Sequence, residues 1–192
     1  MSEEDVDLRR RRFLTATTAV VGGIGGVFAA VPFVSSLFPS EKAKALGAPV
    51  KIDISKIEPG GLLRDEWRGK LIWVLRRTPE NLKGLAEVEG VLSDPASDRE
   101  QQPDYAKNQF RSIKDEYLVL IGLCTHLGCS PTYRPEVTPK EGNFFCPCHG
   151  SKFDLAGRVF KSMPAPTNLE VPPYRFINNG LIEIGVDPEG VS

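Results

Sequence analysis

The sequence predicts a mainly β domain preceded by a single N-terminal transmembrane helix. Residues 13–38 carry no charged side chain, and short apolar runs of β-forming residues recur after residue 49. The 192 residues include 18 glycines and 16 prolines, most of them after position 47, which favours many turns between short strands. A chain of this length accommodates one domain and an appended segment.

The N-terminal region has the pattern of a membrane anchor. Residues 1–12 form a polar tail, and a helix over residues 13–38 would be roughly 39 Å long, more than the ~30 Å hydrocarbon core of a bilayer. Pro32 is expected to kink or end this helix on its far side. By the positive-inside rule, the four arginines Arg9–Arg12 predict that the tail lies in the cytoplasm. Everything after residue 39 is then expected to lie outside the cytoplasm.

The start of this anchor also resembles an export signal. Arg10-Arg11-Arg12-Phe13-Leu14 has the twin-arginine pattern of two arginines, any residue, then Phe-Leu. The alternative is a plain positively charged flank of an anchor. Ala43-Lys44-Ala45 has the small-x-small form of a signal-peptidase site. Because the apolar stretch exceeds the ~7–15 residues of a cleavable signal, we favour an anchor that is retained.

Residues 39–49 are predicted to form a flexible neck. They are polar, contain small residues and have no apolar periodicity. Fully extended, they would reach roughly 36 Å at ~3.3 Å per residue, enough to tether a mobile head. An ordinary loop is the alternative. The head then comprises residues 50–192.

The head is predicted to be mainly β with one helical insertion. The predicted strands are Val50–Ile54, Lys70–Leu75, Tyr117–Ile121, Asn143–Phe145 and Leu181–Ile184. Between them, Pro79–Val91 has apolar residues three apart, as in an amphipathic helix. Residues 93–108 are polar and are predicted to be a surface loop.

Composition excludes one class of partner. Lys and Arg total 24 against 25 Asp and Glu, so the chain lacks the basic footprint of a nucleic-acid-binding protein. With 41% hydrophobic and 26% charged residues, the chain can form a packed core.

All four cysteines and both histidines fall within one window, as Cys124-x-His126-x-x-Cys129 and Cys146-x-Cys148-His149. Three interpretations compete. A structural zinc site needs four ligands, and six candidates are too many for one zinc and too few for two. Disulfides alone leave the histidines unexplained. A metal cluster held by two cysteines and two histidines, with a disulfide between the other two cysteines, uses all six.

The sequences CTHLGC and CPCHGS resemble the two cluster-binding loops of the Rieske iron–sulfur proteins, in particular the subunit of bacterial cytochrome bc1-type quinol–cytochrome c oxidoreductases. The resemblance covers essentially the whole chain: anchor, neck, β head, helical insertion before the first loop, and Pro164-Ala165-Pro166 after the second. It implies a Rieske-type antiparallel β head domain with a cluster-binding subdomain. Rieske ferredoxins and ring-hydroxylating oxygenases share the ligands but lack the extra cysteine pair.

The resemblance implies one [2Fe–2S] cluster per chain, with Cys124 and Cys146 on one iron and His126 and His149 on the other. It further implies a disulfide between Cys129 and Cys148, which can persist outside the cytoplasm. Replacing two thiolates by neutral imidazoles makes the oxidised cluster neutral instead of a dianion. Rieske potentials accordingly lie at ~−150 to +300 mV, against ~−400 mV for plant-type clusters.

Further roles follow from the same resemblance. His149 is implied as the catalytic residue, an exposed ligand that accepts a hydrogen bond and then a proton from quinol. Ser151 is implied to donate to a bridging sulfide and tune the potential. Leu127 is implied to shield the cluster and contact the partner. Phe153 replaces a tyrosine that bonds a cysteine sulfur in other members, which predicts a somewhat lower potential. Met163, immediately before Pro164-Ala165-Pro166, stands where many members of the family have glycine.

The implied function is electron transfer within a proton-translocating quinol–cytochrome c reductase, an oxidoreductase of the respiratory chain. The implied partners are cytochrome b, cytochrome c1 and ubiquinol, in a complex that is itself dimeric. The acidic residues Glu3, Glu4, Asp5 and Asp7 argue against a mitochondrial targeting segment, so we expect a bacterial inner membrane with the head on the periplasmic side. A Rieske subunit of another oxidoreductase, such as arsenite oxidase, and a structural zinc domain are the alternatives.

Overall fold

The computed structural model describes residues 7–188. The chain divides into two compact units, one ending at Ala45 and the other beginning at Leu46. The acidic residues Glu3, Glu4 and Asp5 lie outside the described residues.

The first unit contains one long helix, α1, over Leu8–Ser35. It is long and apolar enough to cross a membrane. It begins before the predicted position because Asp7 caps it: the Asp7 carboxylate accepts hydrogen bonds from the backbone amides of Arg9 at 2.9 Å and Arg10 at 3.2 Å. Pro32 lies inside the helix, which ends one turn later, before the predicted end at residue 38.

The predicted neck contains a short helix, α2, over Glu41–Leu46. Ser40 lies at its start, and its hydroxyl accepts a hydrogen bond from the amide of Ala43 at 3.2 Å. Lys44 and Glu41 form an ion pair at 2.7 Å. Absence of apolar periodicity did not exclude a helix here, because Glu, Lys, Ala and Leu are all strong helix formers.

The head has nine strands in three antiparallel sheets within the described residues. The strands are β1 (Val50–Asp53), β2 (Leu62–Trp67), β3 (Lys70–Arg76), β4 (Tyr117–Ile121), β5 (Thr132–Tyr133), β6 (Phe144–Phe145), β7 (Lys152–Phe153), β8 (Tyr174–Asn178) and β9 (Leu181–Ile184). The sheet orders are β1-β9-β8, β2-β3-β4 and β5-β6-β7. The predicted mainly β, antiparallel architecture is confirmed.

All five predicted strands are present, with bounds shifted by a residue at some ends. Four strands were missed. β5 and β7 have two residues each, too few for a periodic signal, and β2 carries the charged sequence Arg64-Asp65-Glu66 at its exposed centre. In contrast, every residue of β4 is buried, as its continuous apolar sequence predicts.

The helical insertion is α3, Pro79–Glu87, followed by a 3₁₀ turn over Glu89–Val91. Thr78 caps α3 by accepting a hydrogen bond from the amide of Asn81 at 3.2 Å. The predicted surface loop 93–108 is only partly exposed, since Asp94, Ser97 and Ala106 are buried. Polar side chains of this segment bind its own backbone: Asp94 accepts from the amides of Asp98 at 2.9 Å and Arg99 at 3.2 Å, and Gln102 donates to the carbonyl of Ser97 at 2.8 Å. Composition alone does not reveal this role.

A packed aromatic pair positions the two sheets that carry the cluster loops. Trp73 of β3 stacks on Phe144 of β6 with ring centroids 5.1 Å apart. The indole also packs against Gly122, just after β4, so closely that no side chain would fit there. Because Gly122 and Phe144 each precede a cluster cysteine by two residues, this contact brings the beginnings of both loops together.

Candidate metal centre

The first cluster loop, residues 124–129, is a closed turn that follows β4. The carbonyl of Cys124 accepts a hydrogen bond from the amide of Gly128 at 2.8 Å, and the amide of Cys124 donates to the carbonyl of Cys129 at 2.7 Å. Gly128 has φ +78°, in the left-handed region that glycine adopts without strain. The turn therefore holds the residues between Cys124 and Gly128 on its outer rim.

The second cluster loop, residues 146–151, repeats these hydrogen bonds between β6 and β7. The carbonyl of Cys146 accepts from the amide of Gly150 at 2.9 Å, and the amide of Cys146 donates to the carbonyl of Ser151 at 2.8 Å. Gly150 has φ +79°, matching Gly128 in the first loop. Two turns of the same construction thus present their side chains toward one another.

The two unbridged cysteines lie at the bases of these loops. Cys124 and Cys146 are each only 2% exposed and carry free thiols, and their side chains hydrogen-bond to each other. Burial raises the pKa of the Cys124 thiol. A bound metal ion reverses that preference, because a coordinating thiol is deprotonated. Two buried, adjacent cysteine sulfurs are therefore better suited to binding a metal than to existing as free, solvated thiolates.

The two histidines meet at the open end of the same space. Their ring centroids are 4.7 Å apart and their planes are at 87°. His126 is half-buried, and its Nδ1 is buried without a hydrogen-bond partner, whereas His149 is exposed. Because buried polar atoms normally have partners, this orphaned nitrogen is consistent with a metal ligand. Two buried thiols and two imidazoles fit the mixed ligand set of a Rieske [2Fe–2S] cluster.

The disulfide implied by the resemblance is present. Cys129 and Cys148 are bonded, which joins the two loops across a sequence separation of 19. The sulfur atoms of Cys129, Cys146 and Cys148 lie within 4.8 Å of one another. Because two of these sulfurs are bonded to each other, Cys146 is the one in this trio that can bind metal as a thiolate.

Ser151 lies behind the second loop and is fully buried. Its Oγ accepts a hydrogen bond from the amide of Ala165 at 3.0 Å, and its hydroxyl hydrogen-bonds to the Cys124 sulfur. The hydrogen bond with Ser151 lowers the pKa of the Cys124 thiol, against the effect of burial, so Ser151 favours a negatively charged sulfur. This arrangement suits the predicted tuning role.

The segment 163–167, which we call the proline loop, is bonded to both cluster loops. Ala165 reaches the second loop through Ser151, and the hydroxyl of Thr125 in the first loop donates to the carbonyl of Thr167 at 2.7 Å. The resemblance implies that Pro164-Ala165-Pro166 is a third loop covering the cluster, whereas no role was predicted for Thr125. A threonine next to a predicted ligand in sequence gives little indication of its role, because its hydrogen-bond partner, Thr167, lies 42 residues further along the chain.

Leu127 and Phe153 occupy contrasting positions. Leu127, on the rim of the first loop, is 72% exposed and is available to contact a partner protein. Phe153 is fully buried in β7, paired with Phe144 of β6, and has no polar atom to donate.

Comparison with known proteins identifies the family. The model described as "Rieske [2Fe-2S] domain" matches residues 104–174, and that described as "Ubiquitinol-cytochrome C reductase Fe-S subunit TAT signal" matches residues 1–40. The second match confirms the predicted twin-arginine signal.

Similar proteins extend the match along the chain. The ubiquinol-cytochrome c reductase iron-sulfur subunit of Allochromatium vinosum is 58% identical over 97% of this chain and 93% of its own. The corresponding subunit of Blastochloris viridis is 43% identical over 96% of this chain and 97% of its own length. A solved chain of a hyperthermophilic respiratory complex III has TM-score 0.50 and 30% identity, covering 87% of this chain and 98% of that one. The chain therefore belongs to the family of Rieske [2Fe–2S] iron–sulfur subunits of ubiquinol–cytochrome c reductase.

Proposed function

We propose that this chain is the electron-transfer subunit of a quinol–cytochrome c reductase, accepting one electron from quinol and passing it to a c-type cytochrome. One observation carries the proposal: two loops of equal construction bring two buried thiols and two imidazoles together, with one imidazole exposed. Family membership supports the same function.

Cys124 and Cys146 would hold one iron of the cluster, and His126 and His149 the other. When bound, the cluster supplies one-electron acceptance at a potential high enough for quinol oxidation. The protein contributes shape and exclusion of water. The thiols are buried, the disulfide between Cys129 and Cys148 restrains both loops, and Ser151 offers a hydrogen bond to sulfur.

His149 is the residue that meets the quinol. Its side chain is exposed at the end of the second loop, so an imidazole nitrogen not bound to metal can accept a hydrogen bond from the quinol hydroxyl. It would then take the hydroxyl proton as the quinol gives up one electron, so that the quinol loses one proton and one electron together and is oxidised by one electron. Leu127, next to His126 in the first loop and exposed, provides an apolar contact for the pocket that binds the quinol ring.

The remaining parts of the chain anchor and deliver the head. We infer that the N-terminus lies in the cytoplasm because four arginines, Arg9–Arg12, precede the apolar segment 13–38. The head, residues 50–192, then lies in the periplasm of a bacterial inner membrane. Residues 39–49 act as the neck that lets the head visit cytochrome b and cytochrome c1 in a dimeric complex, with ubiquinol as donor.

Low-temperature EPR of membranes containing the full chain, recorded during a redox titration at several pH values, tests this function. A histidine-ligated [2Fe–2S] signal with a positive, pH-dependent midpoint is expected, together with copurification of b- and c-type cytochromes. A metal-replete sample that contains zinc and gives no signal would overturn the proposal. Copurification with a molybdenum-containing oxidase in place of the cytochromes would instead indicate a different oxidoreductase.

A further inference from the structure

Arg111 is a fully buried cation that no described carboxylate neutralises through a hydrogen bond. Its Nη1 donates to the carbonyl of Ala156 at 3.0 Å, and its Nη2 donates to the carbonyl of Leu169 at 2.7 Å and to Oε1 of Gln102 at 2.9 Å. Buried charges are costly unless they are paired. Asp154 and Asp94 offset the charge of Arg111 through space, but its side-chain hydrogen bonds in the described residues all go to neutral acceptors, so its directional contacts serve those acceptors.

The acceptors of Arg111 lie at the exits of two loops of the cluster site. Ala156 and Gly157 follow the second cluster loop and β7, and Leu169 follows the proline loop. The amide of Leu169 also donates to the carbonyl of Gly157 at 2.8 Å, and Arg111 Nη1 lies 3.4 Å from the same carbonyl. Arg111 thus joins the exit of the second cluster loop to the exit of the proline loop.

From the proline loop, the hydrogen bonds lead to a cluster ligand. The carbonyl of Thr167 accepts from Thr125 of the first loop at 2.7 Å, and the amide of Ala165 donates to Ser151 at 3.0 Å. Ser151 in turn hydrogen-bonds to the sulfur of Cys124. The orientation of the Ser151 hydroxyl therefore depends on where the proline loop lies.

The geometry points to Arg111 as a positioning residue of the cluster site: it fixes the proline loop so that the Ser151 hydroxyl is aimed at the Cys124 sulfur, and it thereby raises the midpoint potential. A hydrogen bond to a ligand sulfur favours the reduced, more negative state of an iron–sulfur centre. This inference rests on the proposed function, since it concerns the potential of the cluster that the function requires.

The shape of the guanidinium explains why arginine occupies this position. Its planar fork donates in several fixed directions at once, whereas a lysine ammonium is a compact charge on a flexible stem. The surroundings are equally tight. Gly157 has φ +71°, and a Cβ there would lie 2.9 Å from Leu120 Cδ1 and 3.2 Å from Arg111 Nη1.

The test compares Arg111→Lys with wild type in the full, cluster-loaded chain. Lysine keeps the charge but cannot bond both loop exits. We expect the midpoint to fall by about 59 mV, equivalent to a tenfold weaker affinity for one electron. We also expect hydrogen exchange of the Ala165 amide to become at least tenfold faster.

Arg77→Lys is the matched control. Arg77 is buried too, and it donates to the carbonyls of Phe110, Asp115 and Leu155 and to the hydroxyl of Ser112, but it makes no hydrogen bond to Leu169, where the chain leaves the proline loop. This variant should lose stability while keeping the wild-type midpoint and Ala165 exchange. In a Ser151→Ala background, Arg111→Lys should cause no further fall in midpoint.

Gln102→Leu is the milder variant if Arg111→Lys fails to fold. It removes one acceptor of Arg111. The midpoint potential should fall and the Ala165 amide should exchange faster, each by less than in Arg111→Lys. The inference would be overturned if Arg111→Lys were destabilised but kept the wild-type midpoint. It would also be overturned if Arg77→Lys shifted the midpoint equally, or if Arg111→Lys caused its full midpoint shift in the Ser151→Ala background. Absence of a Rieske EPR signal from wild type would instead overturn the proposed function.

Discussion

His126 and His149 lie edge to face with ring centroids 4.7 Å apart, yet the two rings differ in solvent access. His126 is half-buried with an orphaned Nδ1, and His149 is exposed. Both are candidates for the same iron, and the exposed ring alone can reach a substrate from solvent. This difference in exposure supports the proposal that His126 acts as a structural ligand and His149 as the ligand that exchanges a proton.

Replacing His149 by cysteine should abolish quinol oxidation, with or without loss of the cluster. A cysteine can still bind metal, but it lacks the second ring nitrogen that accepts the quinol proton. Loss of a general base costs typically ~10²–10⁴-fold in rate. Turnover of the membrane-bound complex and EPR of the same sample measure the two effects separately. Wild-type turnover in this variant would contradict the role assigned to His149.

Phe153→Tyr should raise the midpoint potential. Phe153 is fully buried and has no donor, whereas a tyrosine hydroxyl at this position would donate to a cysteine sulfur, as the resemblance implies. A redox titration followed by EPR measures the shift. Phe153→Leu, which adds no hydroxyl, is the control and should leave the midpoint close to wild type. An unmoved midpoint in the tyrosine variant would rule out this explanation.

Removing the disulfide should destabilise the loaded head. The bond closes a segment of sequence separation 19, and loop-closure entropy for such a segment corresponds to about 3 kcal/mol. We expect Cys129→Ser combined with Cys148→Ser to unfold at lower temperature and to lose the cluster more readily. Wild type treated with a reductant should behave similarly, while the double variant should not respond to reductant. Equal melting temperatures without reductant would argue against the restraint.

Asp154→Asn should be strongly destabilising. The Asp154 carboxylate is buried and accepts hydrogen bonds from Arg158 Nε at 2.7 Å and from the amides of Ala156 at 2.9 Å and Arg158 at 2.8 Å. Breaking a buried ion pair leaves an uncompensated charge and costs about 3–5 kcal/mol.

Urea denaturation of the loaded head measures this cost. Glu116→Gln is the control, because its ion pair with Arg76 at 2.6 Å is partly exposed. Exposed pairs contribute roughly 0–1 kcal/mol. Similar losses of unfolding free energy in the two variants would show that the buried Asp154–Arg158 pair contributes no more to stability than the exposed pair.

Stiffening the neck should slow turnover without altering the cluster. Trp67 donates from its indole to the carbonyl of Ala48 at 3.0 Å, so the end of the neck is fastened to the head. The proposed bending is therefore assigned to the residues before Ala48. Replacing residues 39–46 by prolines gives an extended, semi-rigid segment.

A Gly/Ser segment of equal length is the matched control, since it is flexible and should support turnover. The EPR spectrum and midpoint should be unchanged in both variants. Unaltered turnover in the proline variant would count against a mobile head.

The candidate residues for chemistry could be read from the amino-acid sequence. Six soft ligands in one window indicated a zinc site, disulfides or a metal cluster, and the resemblance identified the two cluster loops. The uncharged run after four arginines predicted the anchor, because this signal is a pattern along the chain. The same holds for β4, whose apolar run predicted a strand buried on both faces. The resemblance added the disulfide pairing, which the structure contains.

The way in which those residues are held depends on the folded chain. Four strands, the helix within the neck and the buried part of residues 93–108 did not follow from composition. The proline loop and Arg111 are linked to the cluster loops by hydrogen bonds between residues far apart in sequence. Such bonds leave no periodic signal, since their partners are chosen by proximity in the folded chain. Local sequence therefore specified the ligands, and long-range contacts specified their geometry.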